Sequence, residues 1–236
     1  MQLIKPKEFF RHFPVKKFEN VPGVSQYVIP IFGKIFYGRI KRILKLFINL
    51  KKNCFSEVLD IGGGCGFFSA NFKINFPMSK VHLLEILNNK KVRIAKYILN
   101  NRFDISLDYY FGYNIQKRTD FQDNKFDLIF ALDVLEHIHN IDSGINEIIR
   151  ILKPGGILFI SVPIEGKLLK IIRLIISKFL PIKIDIHWRG TIKSENKFFD
   201  YLKNNQKLKI IMREKFPFRT LPEIFSYDSF YLVRKL

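Results

Sequence analysis

Apolar and polar residues alternate in blocks along the middle of the chain. Short runs of mostly apolar residues, the pattern of buried parallel strands, occur at residues 57–61, 81–86, 105–111, 126–132 and 157–162. Longer segments with apolar residues at helical spacing lie between them, at residues 67–76, 88–101 and 141–152. This alternation predicts an α/β fold, with a doubly wound, mostly parallel sheet and helices on both faces.

The first predicted strand runs into a glycine-rich turn at residues 60–66, which read D-I-G-G-G-C-G. Glycines allow a backbone to turn tightly and to approach a ligand without a clash from a Cβ atom. The N–H groups at the start of the following helix favour an electronegative ligand group. The spacing lacks the third glycine of the G-x-G-x-x-G dinucleotide pattern, and the Gly-Lys-Ser/Thr of a phosphate-binding loop is absent. The turn therefore predicts a ligand site of neither of these two types.

Four motifs stand in order along the chain. They are the strand and glycine turn at 58–66, the fourth strand with its Leu-Glu-His at 126–138, the turn before strand five at 152–158, and a late segment at 187–202. These motifs resemble those of the class I S-adenosylmethionine-dependent methyltransferases, and the resemblance covers roughly residues 54–235.

This resemblance implies a seven-stranded, Rossmann-like sheet and S-adenosylmethionine as the cofactor. Glu85, the acid that ends the second predicted strand, matches the family residue that binds the ribose hydroxyls, and a carboxylate can accept two hydrogen bonds from a vicinal diol. The cofactor-binding residues implied in this way are Asp60, Gly62, Gly63, Gly64, Gly66, Glu85, Asn114, Leu132 and Asp133.

The end of the third predicted strand departs from the family pattern. The family usually has Gly-Asp there, and the acid binds the adenine amino group. Here residues 111–114 read F-G-Y-N, so that Tyr113 stands in the place of the acid. Asn114 could accept a hydrogen bond from an amino group instead.

Two histidines are candidates for a general base. Methyl transfer from a sulfonium is an in-line displacement, in which an enzyme positions the acceptor and, where needed, removes a proton. His137 follows the fourth strand, at the edge of the sheet where ligands bind, and His187 lies in a late loop. Each histidine could instead cap a helix or bond to a loop, and Asp133 could fix its turn. No cluster of His, Cys and carboxylates has metal-ligand spacing, so no metal is expected.

The excess of positive over negative charge is confined to the two ends of the chain. The net charge is +19; residues 1–52 carry 12 Lys and Arg against 2 Asp and Glu, residues 53–162 carry 12 against 12, and residues 163–236 carry 16 against 7. Segregated charge of this kind attracts an anionic partner or surface.

Basic residues within both flanks alternate with large apolar ones, at 31–50 and at 167–180. A wide apolar face with a narrow basic strip is typical of a helix on anionic lipid, although a core helix with its lysines in water has the same pattern. Nucleic acid is the less expected partner, because the basic residues do not gather on one polar face. We expect a basic amphipathic extension over 1–52 and a methyltransferase domain over 53–236, with a basic amphipathic insertion at about 164–186.

Together these features predict methyl transfer to a small-molecule or lipid-linked acceptor, through O-methylation of a quinone precursor, a glycan or a glycolipid. One alternative is a nucleic-acid methyltransferase, although residues 132–135 read L-D-V-L where that group has Asn/Asp-Pro-Pro-aromatic. Another is a non-catalytic binding module with this fold. Two cysteines without a framework, the lack of a signal peptide and the lack of an apolar run of about 20 residues predict a cytoplasmic protein, peripheral to the inner face of the membrane.

Overall fold

The computed structural model describes residues 1–12, 30–50, 55–87, 90–164, 194–217 and 228–236. The strands in these residues are β1 (Glu57–Ile61), β2 (Lys80–Glu85), β3 (Asp108–Phe111), β4 (Phe126–Leu132), β5 (Leu152–Pro163), β6 (Leu208–Phe216) and β7 (Asp228–Lys235). The helices are α1 (Pro6–Phe10), α2 (Pro30–Asn49), α3 (Phe67–Asn75), α4 (Lys90–Phe103), α5 (Ile141–Ile151) and α6 (Glu195–Asn204), with a short 3₁₀ helix at Leu135–His137.

The strands form one sheet in the order β3-β2-β1-β4-β5-β7-β6. β1 and β3 pair in parallel with β2, whereas β7 runs antiparallel to both β5 and β6. The predicted α/β fold, with a mostly parallel seven-stranded sheet, is confirmed.

The bounds of the elements match the hydrophobic pattern most closely where a strand is buried on both faces. β1 and β4 have the predicted bounds. β5 begins at Leu152 rather than at Ile157, because Leu152 already has extended backbone angles (φ −81°, ψ 136°). Most of the turn expected before strand five is therefore part of the strand. β3 begins at Asp108 rather than at Ile105, whose N–H donates to the carbonyl of Leu99 on α4.

Two compact units make up the chain. The first unit comprises residues 1–114 with 126–128, and the second comprises residues 115–125 with 129–236.

In the first unit, side-chain amides hold the N-terminal residues against α3. The N–H of Ile4 donates to Oδ1 of the buried Asn71 at 2.8 Å, and Nδ2 of Asn71 donates to the carbonyl of Phe67 at 2.8 Å. Asn75 accepts from the N–H of Gln2 at 3.0 Å and donates to its carbonyl at 2.6 Å. Removal of the N-terminal residues would leave the amide oxygen of Asn71 without this partner.

Aromatic rings complete this attachment. The ring centroid of the fully buried Phe9 lies 4.8 Å from that of Phe67, at the start of α3, and 5.6 Å from that of Phe103, at the end of α4. The N-terminal residues therefore contact both helices that follow the strands of the first unit.

Helix α2 also belongs to the first unit, where it packs against α3. Its buried apolar face consists of Phe36, Ile40, Ile43, Leu44 and Phe47. In α2, the apolar face that we considered for lipid contact is therefore buried against protein. Among the described residues, no helix is long and apolar enough to cross a membrane. The segment at 167–180 lies outside the described residues, and the division of the chain at residue 52 stays a prediction.

In the second unit, an ion pair within α5 is hydrogen-bonded to the segment before β4. Glu147 accepts hydrogen bonds from the N–H and the hydroxyl of Thr119 at 2.8 and 2.6 Å, and from Nη2 of Arg150 at 2.6 Å. Nη1 of Arg150 bonds to Asp123 at 2.5 Å. Burial raises the pKa of Glu147, but the bonds from Arg150 and Thr119 outweigh it and hold the pKa below its usual value.

Candidate functional site

The glycine turn between β1 and α3 has a backbone that suits glycine. Gly62, Gly64 and Gly66 have φ angles of 67°, 54° and 75°, in the left-handed region that other residues rarely adopt. The N–H of Gly66 donates to the carbonyl of Gly63 at 2.8 Å, and this bond closes the turn just before the helix begins. The sequence D-x-G-x-G-x-G thus places its glycines at the positions that need positive φ.

Gly63 is required for a different reason, which is a close approach to the sheet. A Cβ atom at this position would lie 2.7 Å from Oδ2 of Asp60 and 2.8 Å from Cγ of Leu83. The turn therefore lies directly against the side chains of β1 and β2.

Glu85 ends β2 and holds the turn through its carboxylate. The residue is only 3% exposed. Its Oε2 accepts a hydrogen bond from the N–H of Gly64 at 3.0 Å, and its Oε1 accepts one from the N–H of Leu87 at 3.0 Å. Each carboxylate oxygen can accept a second hydrogen bond, so the group keeps acceptor capacity for a ligand.

Asp60, near the end of β1, is a second buried carboxyl in this region. It is 2% exposed, and its Oδ2 accepts a hydrogen bond from the hydroxyl of Ser69 on α3 at 2.5 Å. Burial raises the pKa of Asp60 to about 7; the bond from Ser69 opposes this shift, and the charge of Glu85 adds to it. Burial also raises the pKa of Cys65 to about 12, which keeps this thiol protonated and unreactive.

The turn after β3 is bonded to the end of β2 through Gly112, whose N–H donates to the carbonyl of Glu85 at 2.8 Å. Gly112 has a φ of 82°, so the chain turns sharply there. Tyr113, in the place of the family's acid, lies edge-on to Tyr110 with ring centroids 6.0 Å apart. Asn114 follows and is half-buried; its contact with adenine stays a prediction.

The remaining predicted residues of the site belong to the second unit. Asp133 follows Leu132 at the end of β4 with a φ of 55°; its N–H donates to the carbonyl of Ser161 at 3.1 Å, and its Oδ1 accepts from the Ser161 hydroxyl at 2.9 Å. These bonds are the turn-fixing role considered for Asp133. His137 ends the 3₁₀ helix with 46% of its side chain exposed, and its Nε2 lies 3.8 Å from Oε1 of the buried Glu136. His187 lies outside the described residues.

Sequence reasoning missed two polar groups near the glycine turn. Ser69 bonds to Asp60, and only its position in the first turn of α3, three residues after Gly66, could have suggested this. The hydroxyl of Tyr109 is buried without a hydrogen-bond partner among the described residues, 3.4 Å from where a Gly66 Cβ would lie. Among all the residues that the structure describes, no group of His, Cys, Asp and Glu could hold a metal ion.

Known proteins match this chain in sequence. Residues 33–189 match the family model of a methyltransferase domain. The ubiquinone/menaquinone biosynthesis C-methyltransferase UbiE of Pasteurella multocida is 32% identical over 129 residues, which are 53% of this chain and 47% of that protein. An uncharacterized protein of Methanocaldococcus jannaschii is 29% identical over 155 residues, 64% of this chain and 59% of that protein. The chain thus spans about half the length of the curated relatives that it matches.

Solved structures share the fold. The N-methyltransferase NodS of Bradyrhizobium japonicum, in complex with S-adenosyl-L-homocysteine, matches with a TM-score of 0.56 at 13% identity, over 98% of each chain. At this identity the likeness concerns the fold alone. Since the family model covers more than half of the sequence, the chain belongs to the class I S-adenosylmethionine-dependent methyltransferases.

Proposed function

We propose that the protein transfers a methyl group from S-adenosylmethionine, the cofactor of its family, to a small-molecule or lipid-linked acceptor. One observation carries the proposal: the Glu85 carboxylate accepts the N–H of Gly64, so that an acid and a glycine turn form one structure at the ends of β1 and β2. A vicinal diol needs such an acceptor, and the turn offers a backbone free of Cβ atoms.

The residues present fit the cofactor in kind. Glu85 would accept hydrogen bonds from the ribose hydroxyls, and Gly62, Gly63, Gly64 and Gly66 would let the cofactor approach the backbone. Asp60 and Asn114 belong to the same proposed set in the first unit, and the cofactor contacts of Leu132 and Asp133, in the second unit, stay predictions. When bound, the cofactor would supply an electrophilic methyl on a sulfonium; an acceptor atom would attack this methyl in line with the carbon–sulfur bond, and S-adenosylhomocysteine would leave. The chain itself orients the acceptor and excludes water.

The acceptor and its base belong to the same proposal. A quinone precursor is the acceptor class that we favour, because the UbiE relative is named for ubiquinone and menaquinone biosynthesis. That name specifies C-methylation, whereas we retain O-methylation of a quinone precursor, a glycan or a glycolipid as the expected chemistry. The exposed His137, or His187, would remove a proton from the acceptor where one must leave.

A lipid-linked acceptor would be reached at an anionic membrane, and helix α2 supports this part of the proposal. Its lysine row, Lys34, Lys41 and Lys45, is exposed and lies along one side of the helix, because the residues are seven and four positions apart. Each lysine near an anionic surface contributes about 1 kcal/mol. Since the apolar face of α2 is buried, its attraction to a membrane would be electrostatic and sensitive to salt.

The decisive experiment incubates the full chain with methyl-labelled S-adenosylmethionine and separate lipid, metabolite and RNA fractions. We expect label in the lipid or metabolite fraction, and its loss in the Glu85→Ala variant. Label in RNA would favour the nucleic-acid alternative, and cofactor binding without transfer to any fraction would favour a binding module.

Vesicle flotation at low salt tests the membrane contact separately. Glutamate at all three positions of the lysine row should release the protein from anionic vesicles without weakening cofactor binding. The matched control places three glutamates at the exposed Lys203, Lys207 and Lys209 of the second unit, with the same change in net charge. Equal release by both variants would show that only net charge matters.

A further inference from the structure

The N-terminal segment, defined as residues 2–10, makes two different contacts that converge on Phe67, the first residue of α3. One is a chain of hydrogen bonds: the N–H of Ile4 donates to Oδ1 of Asn71 at 2.8 Å, and Nδ2 of Asn71 donates to the carbonyl of Phe67 at 2.8 Å. The other is aromatic, since the ring centroid of Phe9 lies 4.8 Å from that of Phe67. All four residues are buried, so water does not compete with either contact.

Phe67 directly follows the glycine turn, and the two are held together on both sides of Gly66. The N–H of Gly66 closes the turn by donating to the carbonyl of Gly63 at 2.8 Å. The carbonyl of Gly66 accepts the N–H of Ala70 at 2.8 Å, which begins the helix. A shift of the first helical residue would therefore also move the last glycine of the turn.

Phe9 also contacts the second helix that encloses the turn. Its ring centroid lies 5.6 Å from that of Phe103, at the end of α4. Leu99 lies about one helical turn before Phe103, and its Cδ1 is 3.0 Å from where a Cβ of Gly66 would lie. Phe9 thus joins α3 and α4 at the place where both pack around Gly66.

We propose that the N-terminal segment and the cofactor are coupled through the glycine turn. Phe9 is a positioning residue: through Phe67 it keeps the turn in the form that binds S-adenosylmethionine, and the bound cofactor in return holds the segment on α3. The inference rests on the proposed function. Such coupling is reciprocal, so the factor by which the docked segment raises cofactor affinity is also the factor by which cofactor favours docking. A segment with a purely structural role would stabilise the fold without this reciprocity.

Hydrogen exchange on the full wild-type chain measures the coupling without any substitution. Saturating S-adenosylmethionine should slow exchange of the Ile4 N–H by about fivefold or more. The reference is the N–H of Ser79, which donates to the carbonyl of Phe76 at 3.0 Å beyond the other end of α3 and should change little. Equal slowing of both amides would show only a general stabilisation. That result, or an unchanged rate at Ile4, would overturn the proposal.

Calorimetry of S-adenosylmethionine binding then tests Phe9 itself, at a temperature where the variants are folded. Phe9→Ala should weaken binding by about fivefold or more, and Phe9→Leu, which keeps most of the volume, by less. The matched control is Phe55→Ala, which removes another buried ring of the first unit. Phe55 packs 5.7 Å from Phe47 and 6.3 Å from Phe76, at the end of α3 away from the turn.

The control should lower the melting temperature but keep wild-type affinity. Equal losses of affinity in Phe9→Ala and Phe55→Ala, or wild-type affinity in a folded Phe9→Ala protein, would overturn the proposal. If neither Phe9 variant folds, the exchange of the wild-type Ile4 amide decides.

A wild type that binds no S-adenosylmethionine would contradict the proposed function, and a measurement without cofactor then judges the inference alone. The N–H of Gly66 closes the turn, so its exchange rate in the free protein reports how often the turn opens. Phe9→Ala should raise this rate above that of wild type and of Phe55→Ala. The same rate in all three proteins would overturn the positioning role of Phe9.

Discussion

Replacement of Glu85 by alanine tests two roles of one carboxylate, in the stability of the fold and in the binding of the cofactor. In the free protein its two oxygens accept the N–H groups of Gly64 and Leu87, each at 3.0 Å. In the proposed complex the same oxygens also accept hydrogen bonds from the ribose hydroxyls. Glu85→Ala should therefore lower both the stability of the fold and the affinity for cofactor.

The two magnitudes can be worked out separately. A buried donor that loses its acceptor costs about 1–3 kcal/mol; the Gly64 N–H is buried and the Leu87 N–H partly so, which gives a loss of about 2 kcal/mol in the free energy of unfolding. Hydrogen bonds to a charged acceptor contribute about 1.5–3 kcal/mol, so affinity should fall by roughly 10- to 150-fold.

Chemical denaturation and calorimetry on the same preparations measure the two effects. Glu85→Gln is the matched variant, because its amide oxygen can still accept one backbone N–H but the amide nitrogen cannot accept the other. It should recover part of the stability and less of the affinity. Wild-type affinity in a folded Glu85→Ala protein would refute the assignment of this residue to the cofactor.

Three further changes test the surrounding structure. Gly63→Ala places a Cβ 2.7 Å from Oδ2 of Asp60 and should cost about 1–3 kcal/mol in thermal unfolding; an unchanged melting temperature would contradict the close approach. Glu147→Gln should lower the free energy of unfolding at pH 7 and make it less dependent on pH in the acidic range. The lowered pKa of Glu147 stabilises the fold above the usual carboxyl pKa, and this contribution disappears as the pH falls. Parallel curves of unfolding free energy against pH for wild type and variant would exclude that role. Asn71→Ala should release the N-terminal residues from α3, which would be seen as faster hydrogen exchange of the Ile4 amide. The same exchange rate in variant and wild type would contradict the role of this hydrogen bond.

The strands were predictable where burial alone decides the structure. β1 and β4 are runs whose side chains are mostly buried, so the apolar pattern and the element coincide. The pattern failed at Ile105 and Leu107, which are buried although they precede β3, because an apolar residue can be buried without belonging to a strand. Burial depends on where a residue lies in the folded protein, and the spacing of apolar residues in the sequence reflects this only in part.

The candidate site was predictable in its backbone but not in its side-chain partners. The glycines at 62, 64 and 66 predict positive φ angles, which the structure has, whereas the ribose contact of the acid at the end of β2 stays a prediction. The bond between Ser69 and Asp60 joins residues nine positions apart across a turn, and no periodicity encodes it. Helix α2 shows a related limit, since its apolar face would look the same in the sequence against lipid or against α3.

The anchoring of the N-terminal residues also constrains the order in which the chain folds. Gln2 and Ile4 pair with Asn75 and Asn71, so the bonds span 73 and 67 positions, and closing a loop of that length costs about 4 kcal/mol of chain entropy. During synthesis the first residues leave the ribosome long before their partners on α3 exist. We expect these residues to remain unpaired, with Phe9 exposed, until the β1–α3 segment has formed. The part of the first unit that is made earliest is then among the last to reach its native place.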